Sequence, residues 1–570
     1  MIKCKNRAQL QLLDTVPWLT DKHSRKLIDS IYHTFREVIL QHLPVKLFYK
    51  FFSRETGRPT KDIQSMLGLF ILQALLDLTD AQAIDSFCFH DAFRYALDIP
   101  RNEYLAERTY YYYRAILLGQ GAGVFEGVLE AIANKLQFDA HLQRKDSTLV
   151  GTWLKSMSKL ELFRTTVEKF LKEIKEVHPI IFSRIPEEFR TKYLPKDDSS
   201  TWFAGSKPSQ YQEKLVEAAK DVLFLIESFA GHASISGLKS FALLERLAKE
   251  QIQVVDEVIE VKLDEQFKGS ALVNPHDPDA RYDGHRKAVG YHVQVTETCS
   301  ENKDIDNPKI ITQIEVNLAN TPDVQTLVPG IEKLEEAGLK PEILLTDNGY
   351  ASDENHQKLK ELGVDHVCPP AGDLPDGFGV MDFTIGADGN QISQCPMGKP
   401  CLENKVNTAK KATTSYFDPE VCRSCPHSRD CPVKLTKRKA RLNWDWKRPR
   451  LEARRRQFVE DDSVKQLYRQ RSGGEAPMSM LKGPMGLARI RRRGFAKTTL
   501  AVCLAATALN VRRTHLWLLR KAEEAMSKSG NSQIFTFLAH IYRLCYAAME
   551  RNWLGWLGSK EIGSGFLWAA

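Results

Sequence analysis

Two sets of residues in this chain have the types and spacing to do chemistry: a crowd of cysteines and a few acids at punctuated positions. Five of the 11 cysteines fall within 37 residues, at Cys395, Cys401, Cys422, Cys425 and Cys431. The run CRSCPHSRDC is a C-x2-C-x5-C pattern, and CPMGKPC lies upstream. A C-x2-C turn lets two thiolates reach one metal, and a distant pair completes a tetrahedron. Zinc suits such a thiolate set, in a structural role, because no His-Glu constellation accompanies the cysteines. His427 is an alternative ligand, and the plain alternative is a set of free thiols. The odd cysteine count and the absence of a secretory core in MIKCKNRAQLQLL argue against a disulfide framework.

Asp347 follows the apolar run Ile343–Leu345 and precedes a Gly turn. Ligands of open α/β sheets bind outside the carboxyl ends of strands, so a carboxylate there is a candidate metal ligand. The competing reading is a turn-forming Asp-Asn-Gly. Asp146 precedes the run STLVGTWL and can point into the same crevice if that strand is central. Asp139, Asp277, Asp279 and Asp283 are alternatives for its role. Glu475 is an isolated acid in a strongly basic block. Tyr468, Arg471, Glu475 and Lys482 would share one face of a continuous helix. Gly473, Gly474 and Pro477 oppose that continuity and allow Glu475 to open a new helix instead. A salt bridge to Arg471 or Lys482 is the plain alternative for Glu475.

The formal net charge of +8 conceals its distribution. From Lys434 to Arg456 there are 11 Lys/Arg against Asp445 and Glu452, and from Ala476 to Ala522 there are 10 with no acid. With the nearly neutral stretch between them, residues 434–522 carry +18 and the rest of the chain −10. That is the footprint of a polyanion partner, most simply nucleic acid. Arg491, Arg492 and Arg493 in this block, with Tyr468, Arg471 and Lys482, are the candidate DNA contacts. Composition excludes collagen-like and mostly disordered chains, and no apolar run nears the roughly 18 residues of a membrane helix. The expectation is a cytoplasmic, nucleoid-associated protein.

The elements that must position these residues read as follows. Residues 1–135 are helical, with Asp62–Asp77 apolar nearly all round and Thr79 as an N-cap. ERTYYYYR (107–114) is either core or a stacking surface. A strand is expected within 138–154, then a charged helical stretch over 156–265 containing the loop DDSSTWFAGSKPS. AVGYHVQVTET and KIITQIEVNL read as two strands. A helix capped by Thr321 follows, with Pro322 at its first position, a kink at Pro329 and an end at Gly338. Strands at 343–345 and 364–372 flank a helix capped by Ser352. The whole is an α/β core with a mixed sheet. Cysteines occupy the interruption at 373–440, and helices resume from about Arg450.

On these residues the chain resembles bacterial insertion-sequence DDE transposases with an RNase-H-like catalytic domain. Tyr468, Arg471, Glu475 and Lys482 match the Y-x2-R-x3-E-x6-K signature of one subset. TDNGYAS and KDSTLVG match the segments around the second and first acids, Asp347 and Asp146. GRPTKDIQSMLGLFILQALLDLTDAQAIDSFCFHDAFRYAL is similar to the N-terminal helical domain of these enzymes. Cys395, Cys422, Cys425 and Cys431 match a cysteine insertion of some members, whereas Cys401 and the Trp-rich tail match nothing familiar. The resemblance implies a helical DNA-binding domain at 1–135 and a catalytic core at 136–155 and 266–372. It further implies a helical insertion at 156–265, a zinc insertion at 373–440, basic helices completing the core at 441–522 and a tail at 523–570. Asp146, Asp347 and Glu475 would hold two Mg2+ (or Mn2+), the partner would be double-stranded transposon and target DNA, and the DNA complex would be a homodimer. The competing readings are an inactive or domesticated DNA-binding descendant and a zinc-stabilised RNA-binding module.

Overall fold

The computed structural model describes residue 2 and residues 21–53, 56–152, 157–195, 210–256, 258–262, 269–301, 306–370, 372–490 and 492–528. Arg491, the whole loop DDSSTWFAGSKPS and most of the C-terminal tail lie outside the described residues.

The centre is a mixed sheet. Its strands are β1 (Leu142–Thr152), β2 (Arg281–Asp283), β3 (Ala288–Thr298), β4 (Ile311–Leu318), β5 (Ile343–Leu345) and β6 (Asp365–Val367). β3 pairs antiparallel with β1 on one edge and with β2 and β4 on the other. β5 runs parallel to β1, and β6 parallel to β5. A short strand, Arg489–Ile490, adds parallel to the far end of β1.

The strand reading of AVGYHVQVTET is right, and both faces of β3 are covered. Val289, Tyr291, Val293 and Val295 join the largest apolar core. The opposite face carries Gln294, Thr296 and Thr298, which are also buried. They survive there because they are hydrogen-bonded: Thr296 to Gln313 at 3.2 Å and Gln294 to Asp323 at 2.6 Å.

The helix Phe495–Lys528 joins this sheet to the N-terminal helices. It packs on Ile63–Leu75, Gly121–Leu136 and β4. An added Cβ at Gly121 would sit 3.2 Å from the Leu500 Cα, so the helices approach closely there. Asn510 donates to the Ile311 carbonyl and accepts from its N–H, both at 2.8 Å, and so satisfies the edge of β4. The N-terminal helices thus share one core with the sheet. Ile63–Leu75 is buried on all sides, as its composition requires, and the Asp62 carboxylate caps it. Thr79 forms a full capping box with Gln82.

The segment between β1 and β2 has its own aromatic core around Phe163, Phe170, Phe229 and Phe241. Its described residues are mostly helical until an antiparallel hairpin, Ile252–Val255 with Val258–Val261. The cysteine-bearing segment contains a four-stranded sheet ordered Glu403–Asn407, Ala412–Phe417, Ala440–Asp445, Lys434–Leu435.

Two helix expectations are corrected. After β4 comes a 3-10 turn, Asp323–Gln325, and the α-helix begins only at Leu327, so Thr321 does not cap it. Pro329 therefore falls in the first turn, where a missing N–H breaks no intrahelical bond, and there is no reason for a kink. Gly338 does end the segment, at φ +68°.

Candidate active site

β1 builds the site by alternation. Arg144 and Asp146 lie opposite Glu297 and Val295, on one face, while Lys145 and Ser147 lie opposite Thr296 and Gln294, on the other. β5 pairs with β1 through Arg144↔Leu345. Continuing that register two residues brings Asp347, just past the strand end, opposite Asp146. The apolar strand thus delivers one carboxylate beside the other.

Arg471 connects them. Its Nη2 lies 3.2 Å from the Asp146 Oδ2 and 3.6 Å from the Asp347 Oδ2. Burial pushes the Asp146 carboxyl above its ordinary range, and Asp347 and Asp323 push the same way, against the opposing pull of Arg471. The Asp347 carboxylate also accepts from the Gly349 N–H at 3.0 Å. That bond orients the turn, so Asp347 is both a turn former and a member of the acidic pair.

The continuous helix through Tyr468, Arg471, Glu475 and Lys482 does not form. Asp462–Tyr468 is α-helical, Arg469–Gly474 is a 3-10 turn, and a new helix runs Glu475–Lys482. Glu475 opens that last helix, as the glycines and Pro477 allowed. The glycines themselves have a steric reason. A Cβ on Gly473 would stand 2.1 Å from the Arg144 Nη1, and one on Gly474 would stand 3.6 Å from the Asp146 Oδ2. The Arg144 guanidinium cannot easily yield. It is buried, bonded to Glu297 through Nε at 2.7 Å and to the Gln470 carbonyl through Nη1 at 2.6 Å. Glu297 is bound in turn by Arg513 at 2.7 Å. A glycine pair lets the 469–474 turn lie directly on β1.

The structure thus brings Asp146, Asp347 and Arg471 together and sets Gly474, the residue before Glu475, against Asp146. The Glu475 side chain is exposed and pairs with neither Arg471 nor Lys482, so the salt-bridge alternative fails. Tyr468 packs against Phe458, ring centroids 5.0 Å apart, and against the apolar cluster at the ends of β1, β5 and β6. Lys482 lies near Arg286, and burial lowers its ammonium pKa. Arg493 is exposed and close to Lys169 and His276 of the segment between β1 and β2. Arg492 is half-buried.

Asp323 was not anticipated. Its carboxylate accepts from Ser147 Oγ at 2.8 Å and Gln294 Nε2 at 2.6 Å, adjacent to the acidic pair. Its sequence context, TPDVQ, reads only as a helix start, so no local signal marks it. The alternatives to Asp146 have other partners. Asp139 binds His141, Asp277 accepts from the Tyr291 hydroxyl at 2.7 Å, Asp279 accepts from the Phe495 N–H at 3.2 Å, and Asp283 binds His292 at 2.9 Å.

Cys395, Cys422, Cys425, Cys431 and His427 line one pocket of about 600 Å³. Burial, and then the other three cysteines, push the Cys422 thiol up to about 11. No three of these ligand atoms lie within 4.8 Å of one another, so the thiols face a common space without closing on it. Cys401 is occupied differently, donating to the carbonyls of Tyr416 and Glu403 at 3.3 and 3.4 Å.

A family model described as a transposase DDE domain matches residues 394–515, and one described as a transposase domain matches residues 18–113. No curated protein and no solved structure matches. Both matches are to transposase families, and together they support an insertion-sequence DDE transposase.

Proposed function

We propose that the chain cuts DNA at insertion-sequence ends and joins those ends to target DNA, with Asp146, Asp347 and Glu475 as its catalytic acids. The observation that carries the reading is the single Arg471 nitrogen shared by Asp146 and Asp347. Two carboxylates converging on one cation at the carboxyl end of a parallel strand pair suit a hard divalent ion, because every donor is oxygen. The strand order β4-β3-β1-β5-β6, with β3 alone reversed between its neighbours, supports an RNase-H-like core. The Tyr468, Arg471, Glu475 and Lys482 spacing supports the Y-R-E-K subset.

The three acids would hold two Mg2+ (or Mn2+), which supply activation of water or a 3′-hydroxyl and stabilise the leaving oxygen of an in-line phosphoryl transfer. Arg471 meanwhile offsets the repulsion between Asp146 and Asp347 and presents a fork that fits a phosphate. Lys482 adds a point charge on the same side, and Arg491, Arg492 and Arg493 extend the phosphate contacts. Glu475, exposed at a helix start, is free to turn toward the acidic pair when DNA docks. The partner is double-stranded DNA, engaged as a homodimer that pairs two ends.

Cys395, Cys422, Cys425 and Cys431 would hold one structural zinc. Burial first, and then the other thiols, raise the Cys422 thiol, and a divalent ion would relieve the repulsion among them.

A supercoiled donor carrying terminal inverted repeats, incubated with Mg2+, tests the reading. Wild type should cut it and Asp347→Ala should not, while both bind the ends equally. Binding by wild type with no more cutting than Asp347→Ala would leave an inactive DNA-binding descendant.

A further inference from the structure

Behind Asp347 lies a second set of ligand-type side chains that the DNA-cutting account does not use. His356 comes from the helix Asp353–Glu361, His366 from β6, and Cys368 from the residue after β6's end. One ligand atom from each lies within 4.8 Å of the other two. The Cys368 Sγ and His356 Nε2 are 3.4 Å apart, and the two imidazole centroids are 4.4 Å apart. Zinc–sulfur and zinc–nitrogen bonds of about 2.3 and 2.0 Å at a tetrahedral angle separate two such ligands by roughly 3.5 Å.

Hydrogen bonding fixes which nitrogen of His366 is available. The Thr346 hydroxyl donates to the Asp347 carbonyl at 3.0 Å, and so accepts from the His366 Nε2–H at 2.8 Å. That leaves Nδ1 as the lone-pair nitrogen. It is buried and has no hydrogen-bond partner, on a side chain that is 8% exposed. A ligating histidine held by a second-shell oxygen through its other nitrogen is the usual arrangement around zinc. The nearest cation, Arg454, is paired with Asp353 at 2.8 Å, which moderates its opposition to a bound ion. Both imidazoles are held neutral by burial, His356 at about 4 and His366 at about 3.

We propose that His356, His366 and Cys368 form a second transition-metal site, of the zinc class, separate from the acidic pair and from the four-cysteine pocket. The ion takes two imidazole nitrogens and one thiolate, the Cys368 thiol giving its proton to solvent. Through Thr346 the site would hold the backbone of Asp347 in place.

Metal content of the full-length protein, purified with zinc and dialysed, tests this. The double variant Cys422→Ser/Cys425→Ser, which disables the other pocket, should still retain about one zinc per chain. Adding Cys368→Ser, or separately His356→Gln, should remove it. Cobalt substitution of the double variant should give a charge-transfer band sized for one thiolate, absent after Cys368→Ser. Circular dichroism identifies any variant that fails to fold, and His356→Gln, on a half-exposed position, then decides. Retention of no metal by a folded double variant, or an unchanged count after both Cys368→Ser and His356→Gln, would overturn the site. The outcome is independent of whether wild type also holds zinc at the four cysteines.

Discussion

Asp146 and Gly473 show how closely chemistry and packing are joined at single residues. Asp146 is a carboxylate held partly out of water beside two other acids, so its charged form is disfavoured. The folded chain keeps the Asp146 proton to a higher pH than the unfolded chain does. Stability therefore falls as pH rises through the interval between the two values, and stays lower at neutral pH. Asp146→Asn should raise the melting temperature at pH 7 while abolishing cleavage, as a thermal melt and a nicking assay together will show. Gly473→Ala should act in the opposite sense. Its methyl would displace a buried, pinned Arg144, at a cost of about 1–3 kcal/mol in denaturant unfolding. Lys145 offers a third check. Burial draws its ammonium down to about 8, so the folded chain releases that proton before the unfolded chain does. Its contribution to stability should rise between pH 8 and the usual lysine range, and Lys145→Met should remove that rise.

Elements were legible where local rules decide them. The apolar run of Ile343–Leu345, the caps Thr79 and Ser352 and the Gly338 stop are all where the sequence puts them. The failures are at places where distant packing decides. Thr321 has a good capping residue type, but Asp323 is held by Ser147 and Gln294, and the chain makes a 3-10 turn before the helix begins. The glycine pair before Glu475 looked like a flaw in a helix. It is instead the clearance that Arg144 and Asp146 require, which only the paired strand reveals. The Phe495–Lys528 helix depends on a contact of the same long-range kind at Asn510. Asn510→Ala would leave the Ile311 N–H and carbonyl buried and unpaired, at about 1–3 kcal/mol for each. Chemical denaturation measures that loss directly.

At the scale of the whole molecule, the basic block does not present all of its charge to a partner. Arg450 and Arg454 bind Asp353, Arg456 binds Asp382, Arg513 binds Glu297, and Arg520 and Lys521 bind Asp306. The acids that compensate it come from the −10 remainder, far away in sequence, so a count along the chain could not see them. DNA affinity should therefore fall with salt less steeply than the +18 of the block suggests, at about 0.9 per phosphate contacted. A titration of binding against salt concentration gives that slope, and a slope matching the full block would contradict the pairing. Glu475 is the residue whose role most needs a direct test, because its side chain is exposed and no hydrogen bond or ion pair among the described residues ties it to Asp146 or Asp347. The most direct measurement compares cleavage and end binding by wild type and Glu475→Gln in the same Mg2+ reactions. Glu475→Gln should bind the ends as well as wild type and cleave them orders of magnitude more slowly; equal cleavage by the two proteins would contradict a catalytic role for Glu475.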